Sequence, residues 1–265
     1  MKAQGATEYL VLLGVALLLA TLVVGMLVWP TGSTKDVKRQ QTDIKFKIGA
    51  IEYPELLDGL AAYWKFEEGG GTSAADSRGA NAGNLTNGPT WVSGKSGYAL
   101  DFDGVDDYVV LPSVNPTDAI TVTAWVKSAN SSDYSGRWQL VSKYSAYILG
   151  KNDGGQICFI IHNGIDWQGE TSNCYVPTPS EWHHFAGTYD SSSGLLQLYV
   201  DGGLKNYTST SGTINADTGP IHLAHRESSP GTTYFAGTID EVLIFSRVLS
   251  ANEIRLLYEN PGYPQ

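Results

Sequence analysis

The residues with most chemical potential are carboxylates crowded into one turn and aromatic rings set beside polar groups in loops. Asp103-Gly104 is a tight-turn pair, and Asp106-Asp107 adds two carboxylates directly after it. By residue type alone this is a solvated acidic turn. Residues 130–138 carry Tyr134, Arg137 and Trp138, and residues 162–170 carry Asn163, Asp166 and Trp167. An aromatic ring offers an apolar face to the C–H face of a sugar while polar neighbours fix its hydroxyls. Tyr134, Arg137, Trp138, Asp166 and Trp167 are therefore the residues that would contact a sugar if the protein binds one. Trp138 fits partial burial as well as contact, Trp167 reads as exposed, and Trp64, Trp125 and Trp182 sit in strand-like runs that suggest the core.

Other reactive residues form no constellation. The five histidines make no metal cluster. His183 and His184 are adjacent, so on a strand they point to opposite faces and one of them is buried. His222 and His225 match neither a strand face nor a zinc motif. Gly-x-Ser-x-Gly and phosphate-loop strings are absent, so no catalytic residue is assigned. Cys158 and Cys174 are the two cysteines and flank an expected hairpin with arms 157–162 and 173–176. In an exported protein they would pair, contributing roughly 3 kcal/mol in the chain-entropy model; otherwise they are two buried thiols. Asn84, Asn130 and Asn206 open Asn-x-Ser/Thr sequons and are candidate glycosylation sites.

The elements that must position these groups follow from composition and pattern. The 265 residues include 17 Lys plus Arg, 27 Asp plus Glu and 30 Gly, with 11% aromatic residues and a net charge of −10. That balance disfavours disorder, and the negative charge disfavours nucleic-acid binding. From residue 58 onward, short apolar or alternating runs are separated by Gly, Pro, Asn, Asp and Ser turns. Strands are expected at 60–66, 108–111, 120–126, 138–142, 157–162, 184–189, 195–200 and 239–245. Such spacing suggests a mainly β jelly-roll sandwich. Ser250 and Glu253 stand three apart, as in a capping box, before Ile254, Leu256 and Leu257, so one short helix is expected near the end.

Residues 9–29 carry no formal charge and would extend about 32 Å as a helix, enough to span a bilayer. Pro30-Thr31-Gly32-Ser33 stops that helix. Before it stands Ala3-Gln4-Gly5-Ala6-Thr7-Glu8-Tyr9-Leu10-Val11-Leu12, which resembles the class III signal peptide of archaeal type IV pilin-like proteins. Gln4, Glu8 and Leu12 match the family's first, fifth and ninth mature positions, and Ala6 replaces its usual Ser. The resemblance implies that a prepilin peptidase cuts between Ala3 and Gln4, leaving the apolar helix in the mature protein. Helices of identical subunits would then bury one another's surface in a filament core, after residence in the membrane. Glu8 in that core would cost roughly 2.5–3.5 kcal/mol if unpaired, and the family pairs it with a neighbour's N-terminal amine.

Several strings resemble the laminin-G-like, concanavalin A-like lectin and glucanase family. They include Gly59-Leu60-Ala61-Ala62-Tyr63-Trp64-Lys65-Phe66, Leu100-Asp101-Phe102-Asp103-Gly104, Trp182-His183-His184-Phe185, Leu198-Tyr199-Val200-Asp201-Gly202 and Gly237-Thr238-Ile239-Asp240-Glu241-Val242. The resemblance implies two facing antiparallel sheets and a binding role. It also implies a structural calcium ion held by Asp103 and Asp240, with Asp106 and Asp76 as further ligands. The Glu-x-Asp-x-x-Glu string of the family's glucanases is absent, so a non-enzymatic role is expected.

The expected organisation is a leader at 1–3, a pilin-like helix at 4–30, a stalk at 31–57 and a laminin-G-like sandwich at 58–265. The expected function is a cell-surface filament subunit displaying a lectin-type domain for adhesion to glycans or surfaces. The alternatives are a membrane-tethered monomeric sugar-binding protein and a filament subunit without glycan binding.

Overall fold

A computed structural model describes residues 54–79, 81–129, 138–226 and 233–264, which fall in the compact unit Tyr53–Gln265. The expected leader, pilin-like helix and most of the stalk lie outside the described residues, with Ala3, Gln4, Glu8 and Leu12. Asn130, Tyr134 and Arg137 also lie outside them. The last stalk residues, Pro54–Leu57, form a 3-10 turn, and Leu56 is fully buried.

In chain order the strands begin with β1 (Leu60–Trp64), β2 (Ser73–Ala74), β3 (Gly83–Thr86), β4 (Thr90–Ser93) and β5 (Tyr98–Asp103). Next come β6 (Tyr108–Leu111), β7 (Ala119–Ser128), β8 (Gln139–Lys143), β9 (Tyr147–Lys151) and β10 (Ile157–His162). They are followed by β11 (Trp167–Gln168), β12 (Cys174–Tyr175), β13 (His183–Asp190), β14 (Leu195–Val200) and β15 (Gly203–Ser209). The chain closes with β16 (Ile221–Leu223), β17 (His225–Arg226), β18 (Thr233–Tyr234), β19 (Ala236–Phe245) and helix α1 (Ala251–Glu259).

The first sheet runs β15-β14-β13-β7-β19-β5-β4, with β1 also on β19. The second runs β11-β10-β9-β8-β16-β6-β3-β2, with β12 also on β10, and β17 and β18 make a small ribbon. The two large sheets are antiparallel throughout, as the jelly-roll expectation required.

Alternation of side chains builds the core between the sheets. Ile120, Val122, Ala124 and Val126 of β7 face Tyr147 and Leu149 of β9 and Ile157, Phe159 and Ile161 of β10 in one cluster. Trp64 and Trp125 are buried as expected, whereas Trp182 is only half-buried because β13 starts one residue after it. The expected strand at 60–66 stops at Trp64, since Phe66 adopts φ 56°, a left-handed conformation that ends the ladder.

Helix α1 forms where its capping box predicts. The Ser250 side chain accepts from the Glu253 N–H, and the Glu253 carboxylate accepts from the Ser250 N–H at 2.7 Å. Its buried residues, Ile254 and Leu257, hold it on the molecule.

Candidate functional site

On β9 and β10 the residues alternating with the core ones point away from it. Ile148, Ile160, Cys158 and Cys174 make a small buried cluster there, and Trp167 packs against it. A strand that is apolar on both faces needs cover on both, and here part of the outer face is instead the floor of a shallow cavity of about 290 Å³. Its apolar floor is Ile148, Ile160 and Cys158, and Trp167 is one wall. Polar groups rim it: Gln139 of β8, Lys151 of β9, Asn152, Glu170 and Arg226 of β17, with Tyr144 at the β8–β9 turn.

Local turn chemistry sets this wall. The Asn163 Oδ1 accepts from the N–H groups of Ile165 (3.1 Å) and Asp166 (3.0 Å), folding the chain back so that His162 of β10 pairs with Trp167 of β11. The His162 ring then meets Trp167 edge-on, with centroids 5.2 Å apart. Asn152 organises the far rim. Its Oδ1 accepts from Gly154 (2.9 Å) and Gln156 (3.1 Å), and its Nδ2 donates to the Glu170 carbonyl at 3.2 Å.

Cys158 and Cys174 are directly opposite each other on β10 and β12 and are joined by a disulfide. The expected pairing is therefore present, and it braces the cavity floor. The side-chain amide of Asn206 donates to the Cys174 carbonyl at 3.2 Å, so a glycan on that sequon would cost this bond, whereas Asn84 is exposed on β3.

Carboxylates collect in two other places. Asp103, Asp106 and Asp107 bring carboxylate oxygens within 4.8 Å of one another. The loop's own amides already serve two of them: Val105 donates to Asp103 at 2.8 Å and Asp103 donates to Asp107 at 3.1 Å. Burial, followed by repulsion from Asp103 and Asp106, raises the Asp107 carboxyl above its usual range.

The second group is buried. The pairing of β19 with β7 shifts register between Asp240 and Leu243, and Glu241 takes φ 53°, so a bulge buries two consecutive carboxylates that a regular strand would send to opposite faces. Asp240 Oδ2 accepts from the N–H groups of Lys95 (2.8 Å) and Ser96 (3.0 Å), and Glu241 Oε2 accepts from the Tyr63 hydroxyl. Among the described residues, Asp240 Oδ1 and Glu241 Oε1 have no hydrogen-bond partner. Burial pushes both carboxyls well up, and for Asp240 the charge of Glu241 adds to it.

The four carboxylates expected around one cation thus do not converge. Asp103 pairs with Ala236, and Asp240 lies four residues further along β19, about 13 Å away at about 3.3 Å per residue. Asp76 is engaged within its own turn. Its Oδ1 accepts from Tyr63 and Arg78, both at 2.9 Å, and its Oδ2 accepts from Asn81 Nδ2 at 2.9 Å, which ties that turn to β1. A hard cation takes several anionic oxygens, and Asp240 Oδ1 and Glu241 Oε1 are buried carboxylate oxygens left unpartnered among the described residues.

The Laminin_G_3 family, described as the concanavalin A-like lectin/glucanases superfamily, matches residues 103–255. The chain belongs to this superfamily. Among curated proteins, it is 27% identical over 176 residues to the sushi, von Willebrand factor type A, EGF and pentraxin domain-containing protein 1 of Mus musculus, and equally to that of Rattus norvegicus. Each match covers 61% of this chain and 5% of the relative.

Two solved lectin-like structures frame the fold. The binding domain of Paraclostridial Mosquitocidal Protein 1 aligns with a TM-score of 0.62 at 16% identity, over 77% of this chain and 52% of that one. Domain 4 of AbnA, a GH43 extracellular arabinanase from Geobacillus stearothermophilus solved in complex with arabinotriose, aligns with a TM-score of 0.60 at 18% identity. That alignment covers 75% of this chain and 98% of the arabinanase domain. At such identities the likeness establishes the lectin-like fold.

Within that superfamily fold, the sequence-chosen contacts scatter. Trp167, expected to be exposed, lines the cavity and is half-buried, because the disulfide cluster supports one side of it. Trp138 is 6% exposed and packs in the core against Phe235, centroids 4.8 Å apart, which corrects its candidacy as a contact. Asp166 is exposed in the turn before Trp167 and does not line the cavity. Sequence reading missed Tyr144, Lys151 and Arg226. The signal for that face was the unbroken apolar runs Tyr147-Ile148-Leu149 and Phe159-Ile160-Ile161, which demand cover on both sides of a sheet.

Proposed function

We propose that the sandwich is a carbohydrate-binding module whose site is the cavity over β8–β11. The observation that carries this reading is a half-exposed tryptophan standing on an apolar floor inside a ring of polar side chains. Trp167 and Tyr144 take the C–H faces of sugar rings, and Gln139, Lys151, Arg226 and Glu170 bond hydroxyls. A volume of about 290 Å³ is at the lower end of ligand pockets and fits one or two sugar residues. The role is binding without hydrolysis: Glu170 is the single carboxylate among the lining residues, and glycoside hydrolysis takes two flanking the bond. A glycan array probed with the full chain and with Trp167→Ala tests this. Array signals lost in the variant support the site, and signals that persist unchanged move it elsewhere.

The module is displayed outside the cell on a filament built from the apolar helix at 4–30, with adhesion as its purpose. Supporting this are the Gln4, Glu8 and Leu12 pattern before that helix and the disulfide, which belongs to an oxidising compartment. Mass spectrometry of sheared filaments gives a first residue of Gln4 on this reading. A start beyond Pro30, or no filaments, leaves the tethered or secreted alternative.

A structural calcium ion completes the reading, held by Asp240 and Glu241, where it would neutralise two buried carboxylates and so stabilise the fold. Added calcium then raises the melting temperature of EDTA-treated protein, and Asp240→Asn abolishes the rise. An unchanged melting temperature removes the ion.

A further inference from the structure

We infer that the ligand of this cavity is an anionic saccharide, whose acidic group is taken by Arg226 while its ring stacks on Trp167. This inference rests on the carbohydrate reading above and specifies its substrate class.

The charge at the site runs against the charge of the domain. From residue 58 onward the chain carries 11 basic and 22 acidic residues, yet the cavity is lined by two cations, Lys151 and Arg226, and one carboxylate, Glu170. Among the described residues no carboxylate lies within ion-pair distance of Arg226, whereas Arg247 pairs with Glu253 at 2.6 Å and Arg255 with Glu259 at 3.7 Å. Gln139 is 5% exposed, so this donor beside Arg226 is held by packing and loses little freedom when a ligand arrives, and the Lys151 ammonium adds its charge from 5.5 Å off the Trp138 ring centroid.

The floor sharpens the effect. Ile148, Ile160 and the disulfide exclude water beneath the ligand, and a charge pair above a low-dielectric floor is stronger than one in open solvent. A guanidinium is a planar fork that matches the two oxygens of a carboxylate or sulfate, and it discriminates such groups from a hydroxyl. The placement also fits an oligosaccharide. Trp167 lies on β11 and Gln139 on β8, three strand spacings or about 14 Å apart, so one ring can stack at the tryptophan while an acidic group on a residue further along the saccharide reaches the basic rim. The chemistry shared by the possible ligands is an anionic oxygen group on a saccharide, from a uronic acid carboxylate or from a sulfate ester.

Isothermal titration of the full chain in detergent with trigalacturonate, a sulfated neutral trisaccharide and arabinotriose tests this. At low salt the expected result is at least tenfold tighter binding of an anionic sugar than of arabinotriose, with the preference shrinking at high salt. Arg226→Gln removes the preference while Trp167→Ala weakens every sugar alike. Lys151→Met is the second variant and reduces the same preference. Tight binding by both anionic sugars means charge is read, and tight binding by trigalacturonate alone means carboxylate geometry is read; either supports the inference. If arabinotriose binds as tightly as the anionic sugars and depends on Trp167, the carbohydrate site stands and the anionic specificity is overturned. If no saccharide binds, the carbohydrate reading and this inference fall together.

Discussion

The outer faces of the two sheets carry similar aromatic residues and treat them oppositely. On the first sheet, Trp125 of β7 and His184 of β13 face outward with ring centroids 5.3 Å apart, and helix α1 lays Tyr258 over Trp125 at 5.5 Å in a stacked arrangement. The Lys95 ammonium sits 4.1 Å from the Trp125 ring centroid, and Trp125 is left 2% exposed. On the second sheet, Trp167 stands on Ile148, Ile160 and the disulfide with no helix over it among the described residues, at the edge of a cavity. The fold thus closes one tryptophan with its own C-terminal helix and leaves the other half-buried at the edge of the cavity. A tryptophan's role is decided by what covers it, and residue type alone does not reveal that.

Four experiments test this contrast, beginning with the greatest effect. Trp125→Ala empties a sealed site and costs about 3–5 kcal/mol. Chemical denaturation reads this as a lower midpoint at an unchanged slope, and a loss below about 1 kcal/mol would mean that the first face is not closed. Replacing Cys158 and Cys174 by alanine together costs roughly 3 kcal/mol and also weakens saccharide binding, because Cys158 is part of the floor. A destabilised protein with full affinity would separate the disulfide from the site.

Trp167→Ala has the reverse profile. Affinity falls about 30-fold, equal to about 2 kcal/mol, while the denaturation midpoint moves far less than for Trp125→Ala. Equal effects on stability from the two tryptophans would erase the distinction between the faces.

The smallest effect is a pH dependence on the closed face. Burial pushes the His184 imidazole down to about 4, so the unfolded chain binds a proton between about pH 6.5 and 4 that the native chain refuses. Stability is therefore lost as pH falls through that window. His183 behaves oppositely. Its Nδ1 lies 2.8 Å from Asp201 Oδ2, and that hydrogen bond raises the histidine. Asp201 ends up lowered, its bonds to His183 and His184 outweighing burial. The stability from raised His183 is full below about pH 6.5 and is lost as pH rises through its folded value. The stability from lowered Asp201 is present above about pH 3.9 and is lost as pH falls. Melting curves between pH 7 and 4.5 should fall less steeply for His184→Gln than for the unchanged chain, and more steeply for Asp201→Asn. Parallel curves would mean that neither histidine carries the dependence.

Much of the scaffold was legible because its signals are local. Alternation located β6, β10 and β14 at their observed limits, and the Ser250 capping box located α1. Adjacent histidines read correctly as one buried and one not, since strand geometry forces opposite faces. The site was less legible because it is assembled across strands. Arg226 reaches the cavity from β17, more than 80 residues after Gln139 on β8, and no spacing in the sequence announces that meeting. Asp240 and Glu241 were separable only by knowing the bulge, which turns an expected alternation into a buried pair. Trp138 and Trp167 look alike in the sequence, and packing against Phe235 or against the disulfide cluster is what separates them.

The most direct test of the account is a crystal structure of the protein with the saccharide that the array selects. The account predicts a sugar ring against Trp167 above Ile148 and Ile160, with its polar substituents toward Arg226 and Lys151. A sugar bound instead at the Asp103–Asp107 turn or at the helix-covered face, with the cavity unchanged, would contradict it.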